Sequence, residues 1–126
     1  MNGTFRLIIA AIGVITIVSG AGQVGAPGFV LGQLAVETNP ASLHFFAIVG
    51  MFMVLFGGLL LNAMYSVPQQ PVALFWAALQ KFGASAAVGI GVMNGVFSPL
   101  AWLVAGFDLL SGALILAYWR GVRERQ

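Results

Sequence analysis

Apolar residues fill four long stretches of the chain, at about 4–23, 40–65, 71–93 and 98–119, separated by intervals rich in glycine, proline and polar residues. Each stretch reaches the roughly 20 residues that a helix needs to cross a bilayer's hydrocarbon core. Three of them carry recognisable starts. Asn39 stands as an N-cap with Pro40 at the first helical position, the third stretch opens on Pro71, and the fourth opens on Ser98 and Pro99. The pattern therefore predicts an all-α fold, an integral membrane four-helix bundle forming a single domain over 1–126.

The connections differ in kind. Residues 66–70 and 94–97 are short, so the second, third and fourth helices must run antiparallel to their neighbours in sequence. The interval 22–38 is longer. It begins with Gly25, Pro27 and Gly28, after which Phe29, Val30, Leu31, Leu34 and Val36 alternate with Gly32, Gln33 and Glu37. Too short to span, it reads as an interfacial or re-entrant segment against the bundle, or as a loose loop. Small residues recur on single helix faces: Gly13, Thr16 and Gly20; Gly50 and Gly57; Ser85 and Gly89; Ala101, Ala105, Asp108 and Gly112. In lipid, such faces let helix backbones approach closely, within the chain or between copies. No internal repeat supports an inverted-repeat transporter.

Composition agrees with this pattern. Of 126 residues, 60% are hydrophobic and only 6% charged, against roughly 25% charged in a soluble domain. A soluble fold of this size needs far more polar surface. Arg6, the apolar run 7–18, Ser19 and Ala21 have the layout of a short signal peptide, but the apolar stretch continues to about Val24 and is read as a retained helix. The net charge of +2 lies almost wholly near the chain ends, in Arg6, Arg120, Arg123 and Arg125. No basic run interleaves with exposed aromatics, which leaves nucleic-acid binding unsupported. With Glu37 the fixed charge of the long loop opposite, the positive-inside rule places both termini in the cytoplasm. Tyr118 and Trp119 sit where an aromatic belt would lie.

Two ionisable residues fall within spans. Lys81 is near the middle of the third helix and Asp108 near the middle of the fourth. A lone charge there costs about 2.5–3.5 kcal/mol on insertion scales. Lys81 lies 15 residues before Val96 and Asp108 12 after it. The difference amounts to about 4.5 Å of depth at the helical rise, within a lysine's reach. The two are expected to pair, with Gln80, Ser85 and Ser111 as hydrogen-bonding neighbours. Such a pair serves either as an interhelical clip that sets register or as a mid-membrane proton or ligand site.

His44, the chain's one histidine, falls in the same outer layer as Glu37. It reads as an interfacial structural residue, or as a pH-sensitive group or single ligand. Zinc wants three or four ligands, and there is no cysteine for thiolate metal, iron–sulfur or disulfide chemistry, so no metal or cofactor is expected. No Ser–His–Asp set shares one depth, no two carboxylates share a site, and no glycine stretch has the context of a nucleotide loop. Asn62 and Gln23 read as interfacial polar caps at helix ends, or as hydrogen-bonding groups between helices.

With about four spans in a short chain, the basic residue in Gln80-Lys81-Phe82-Gly83 and the aspartate in Phe107-Asp108-Leu109-Leu110, the sequence resembles the small four-helix bacterial membrane proteins of the DoxX-like and BphX-like kind. The resemblance implies a bacterial inner membrane and little about activity. In size the chain also resembles the small multidrug transporters, but their helix-one glutamate has no counterpart in 4–23. Three functions follow as expectations. One is an accessory or scaffolding subunit packing against other membrane proteins or its own copies in the lipid bilayer. A second is a small proton-coupled transporter using Lys81 and Asp108. The third is a membrane enzyme acting on an apolar substrate near His44 and Glu37.

Overall fold

A computed structural model describes residues 3–125, which form five helices: α1 (Gly3–Gly25), α2 (Pro27–Leu34), α3 (Pro40–Tyr65), α4 (Pro71–Met93) and α5 (Ala101–Glu124). All except α2 are long and apolar enough to cross a membrane. The start of α3 follows from local chemistry. The Asn39 side chain accepts from the Ser42 backbone N–H while the Ser42 hydroxyl accepts from that of Asn39, both at 2.9 Å, and Pro40 needs no amide partner.

The long helices associate as two antiparallel pairs. In the first, α1 lies against α3 with backbone touching backbone. A Cβ added to Gly20 would stand 2.5 Å from the Gly50 carbonyl oxygen, and one added to Gly57 would stand 2.8 Å from that of Gly13. Gly13 and Gly20 on one helix, and Gly57 and Gly50 on the other, are spaced by two turns, so each contact repeats down the same seam. In the second pair α4 lies against α5. Ser85 donates to the Ala105 carbonyl at 2.7 Å, and Gly112 receives the Phe82 ring beside the Ala78 carbonyl.

Between the pairs the contact is thinner and concentrated towards the end where the chain termini lie, here the terminal end. There Ile9, Leu60, Met64, Leu74, Ile115, Tyr118 and Val122 form the apolar core. Gln69 closes the same end, its side-chain amide donating to the Tyr118 hydroxyl at 2.6 Å and the Met64 carbonyl at 2.8 Å.

The opposite, distal end departs from the sequence expectation in two places. The interval after α1 holds a short helix, α2, which buries Leu31 and leaves Phe29 outside. Its eight residues include Gly28 and Gly32, which hides a helical period. The fourth long helix does not begin at Ser98 and Pro99. Regular α-helix starts at Ala101, preceded by a tighter turn in which Ala101 and Trp102 N–H groups bond back to the Ser98 and Pro99 carbonyls. Ser98 is turned towards α2 instead of capping, its hydroxyl directed at the Gln33 carbonyl at 3.4 Å and its N–H donating to the Leu34 carbonyl at 2.6 Å. Together with Val36 N–H on the Val96 carbonyl at 3.0 Å, this lashes the exit of α2 to the α4–α5 turn. Gly95, at φ +76°, makes that turn possible. Its N–H bonds to the Val92 carbonyl and that of Val96 to Gly91, the Schellman ending that favours glycine. At their other limits α1 and α5 run to Gly25 and Glu124, past the expected 23 and 119.

Candidate functional site

Lys81 sits halfway along α4 on the face that meets α5, and its side chain crosses the seam between the two helix pairs. Its Nζ donates to Thr16 Oγ1 of α1 at 2.6 Å and stands 3.6 Å from Asp108 Oδ1 of α5. The Thr16 hydroxyl in turn donates to the Ile12 carbonyl at 2.8 Å. That bond leaves the hydroxyl lone pairs facing the ammonium. The Phe107 ring centroid lies 5.6 Å from Nζ, so the flank of the ammonium meets an aromatic face. Three helices thus converge on one cation: α1 with a neutral acceptor, α5 with a carboxylate, and α4 with the cation itself.

Burial makes this contact more than a surface ion pair. Only 4% of the Lys81 side chain and 13% of that of Asp108 are exposed. At 3.6 Å the carboxylate acts on Nζ as a charge rather than through a short hydrogen bond, whereas the Thr16 contact has full hydrogen-bond geometry. In sequence Thr16 groups with Gly13 and Gly20 as a packing residue, and nothing there pairs it with Lys81. Loop lengths set α4 against α5 but say nothing about which face of α1 meets them.

The remaining sequence candidates fall in different places. Ser85 joins α4 to α5 one turn beyond Lys81 through the Ala105 carbonyl. Ser111 is buried one turn beyond Asp108. Gln80 is half-buried beside Lys81 in sequence, and no hydrogen bond links it to the pair among the described residues. His44 and Glu37 are both exposed at the distal end and form no ion pair with each other. The ring of His44 lies against Phe45, with centroids 6.4 Å apart. Gln23 is more than a cap: its amide donates to the Phe46 carbonyl of α3 at 3.1 Å.

Two surface clefts lie at the terminal end, and neither is lined by Lys81 or Asp108. One is lined by residues that include Arg6, Tyr65, Gln69, Tyr118 and Arg125, the other by Trp119, Arg120, Arg123 and Glu124. Comparison with protein-family models, curated proteins and solved structures found no match for this chain. The geometry alone therefore carries the functional argument.

Replacing Thr16 with valine keeps the shape and removes the acceptor. The variant is expected to lose about 1–3 kcal/mol, the cost of stranding a buried donor. Ser85→Ala should lose only about 0.6 kcal/mol, typical of an interhelical side-chain bond in a membrane protein. Unfolding of the two variants in the same detergent, followed by circular dichroism, checks the order.

Proposed function

We propose that this chain is a small integral membrane protein acting as an accessory or scaffolding subunit, held in a bacterial inner membrane with both termini in the cytoplasm. The observation that carries the reading is how deeply the Lys81–Asp108 pair is buried. Lys81 is met on one side by Thr16 and on the other by Asp108, with 4% and 13% of the two charged side chains exposed. That arrangement suits a clip that fixes how two helix pairs sit together. It leaves the outer faces of the helices as the surface on which the protein works.

The most open of those faces belongs to α3. Its buried residues are Gly50, Gly57, Leu60, Ala63 and Met64, whereas Phe45, Val49, Phe52, Leu55 and Leu59 point outward along one side. The partner this face fits is another apolar transmembrane helix. A photo-reactive amino acid placed at Phe52 or Leu59 in living cells is expected to give a protein adduct of one fixed mass. The same probe at Leu103 or Leu110, exposed on α5, should give lipid adducts. Lipid adducts at all four positions would overturn the scaffold reading.

A second reading is favoured by the seam itself. Two closely packed helix pairs meet along a thinner interface that an ionisable contact crosses, which is the layout a proton-coupled carrier needs if the pairs rock against each other. Proton-driven uptake in proteoliposomes that disappears when Lys81 and Asp108 are both made apolar would put this reading first. His44 and Glu37 are exposed and form no ion pair with each other, so no built site there supports an enzyme.

A further inference from the structure

The cleft at the terminal end is built from parts of the chain far apart in sequence. Arg6 enters from α1, Tyr65 from the last turn of α3, Ser66, Val67, Pro68 and Gln69 from the loop that follows, and Tyr118 and Arg125 from α5 and its end. Its volume is about 280 Å³, and among the described residues no carboxylate lines it. The Arg6 guanidinium is held in place from two sides, lying 4.8 Å from the Tyr65 ring centroid and donating to the Met64 carbonyl at 3.3 Å. That one bond leaves most of its N–H groups directed elsewhere. Arg125 is exposed on the other wall, steadied by a bond from Nε to the Gly121 carbonyl at 3.3 Å.

The depth of this cleft is marked by its neighbours. Tyr65, Trp76 and Trp119 ring the same end of the helices, the first two of them exposed, as an aromatic belt at a membrane surface would be. Val67, at 99% exposure, stands out from the rim beside the arginines. Four of the chain's five cations gather at this end against one anion, Glu124. Two guanidinium groups, the exposed Tyr65 phenol and an apolar lip at headgroup depth suit a ligand that is anionic and forked at one end and greasy at the other.

We propose that this cleft binds the phosphate group of an anionic phospholipid, with Arg6 and Arg125 as its two cationic walls. The acyl chains run down the outside of α1 and α3, where Leu7, Ile8 and Leu59 are exposed. The shape of the donor set explains the preference for phosphate. Guanidinium groups present parallel N–H bonds that match two oxygens of one phosphate. Phosphatidylcholine offers the same phosphate, but its quaternary ammonium brings a cation to a wall that is already cationic. The site therefore selects net-negative lipids. The inference rests on the membrane placement proposed above but not on the scaffold role.

The test is native mass spectrometry of the purified full chain released from nanodiscs of equal phosphatidylglycerol and phosphatidylcholine. The wild type is expected to retain phosphatidylglycerol. Arg6→Gln and Arg125→Gln should each reduce that preference about fivefold, the effect of one basic residue near an anionic surface, while Arg120→Gln stays within about twofold. Arg125→Gln guards against a folding artefact, since its side chain bonds only within its own helix end. An equal loss from Arg120→Gln would mean diffuse attraction by the whole basic end and would overturn the site, as would the absence of any preference in the wild type. Displacement of the lipid by inorganic phosphate would overturn the lipid assignment in favour of the free anion. Incorporation into pure phosphatidylcholine nanodiscs with unchanged helicity separates failure of the site from failure of the membrane placement.

Discussion

Lys81→Met alone should cost this protein about 3–5 kcal/mol, whereas Lys81→Met with Asp108→Leu should recover most of that loss. Removing the cation leaves Asp108, with only 13% of its side chain exposed, without the one charge that faces it. Breaking a buried pair from one side costs about that much because the partner stays desolvated, while replacing both members by apolar groups of similar volume is often neutral. Asp108→Leu alone is expected to cost less than Lys81→Met, since Lys81 keeps the Thr16 hydroxyl and the Phe107 ring. The reversed pair, Lys81→Asp with Asp108→Lys, separates charge balance from placement. It restores one cation and one anion but moves the ammonium to α5, away from the acceptor on α1, so it should recover less than the apolar double variant. Thermal unfolding of all four variants in one lipid composition reads this order. Full recovery by the reversed pair would show that Thr16 contributes nothing.

The second large effect belongs to the α1–α3 seam. Gly50→Ala and Gly20→Ala should each lose about 1–3 kcal/mol or more, the range for overfilling a packed interior. The added methyl cannot be absorbed by a rotamer change, because its nearest neighbours are the carbonyl oxygens of Gly20 and Gly50 at 2.5–2.6 Å and the Cβ atoms of Gln23 and Met53. The helices must separate instead, and the Gln23 bond to the Phe46 carbonyl separates with them. Gly83→Ala and Gly106→Ala are the controls: neither added methyl meets anything within 4 Å. Both are expected to be neutral or to gain about 0.5–1 kcal/mol from helix propensity. Unfolding curves for the four variants decide the matter. Equal behaviour of seam and control glycines would mean that the close approach of α1 and α3 does not stabilise the protein.

These two sites also show what could be read from the residues alone. The starts of α3 and α4 are local matters, written in Asn39–Pro40 and in Pro71, and composition marks four apolar helices without any tertiary information. The depths of Lys81 and Asp108 follow from counting outward from a short loop, because a tight turn leaves two adjacent helices little freedom to slide. The same logic stops at α1. A long interval separates it from α3, so nothing in the chain says that Gly13 faces Gly57 or that Thr16 faces Lys81. Each glycine face was visible on its own helix, and only packing reveals which faces meet. Gly28 and Gly32 hide helix α2, and the start of α5 is displaced because Ser98 turns its hydroxyl to Gln33 and its amide to Leu34, away from the helix it precedes. The terminal cleft draws on residues 6, 65–69, 118 and 125, a set no spacing rule connects. The coincidence of arginines with an aromatic belt was the one signal that pointed to that end.

The convergence of three helices on Lys81 bears on how the protein is made. In the membrane placement proposed above, a chain entering the bilayer in order presents Lys81 before Asp108, which follows 27 residues later. At about 5–20 residues per second the ammonium waits roughly 1–5 s for its counter-ion. Thr16 has by then long been synthesised. A neutral hydroxyl on the first helix is therefore the partner on hand during that interval, and the carboxylate arrives to complete a contact already begun.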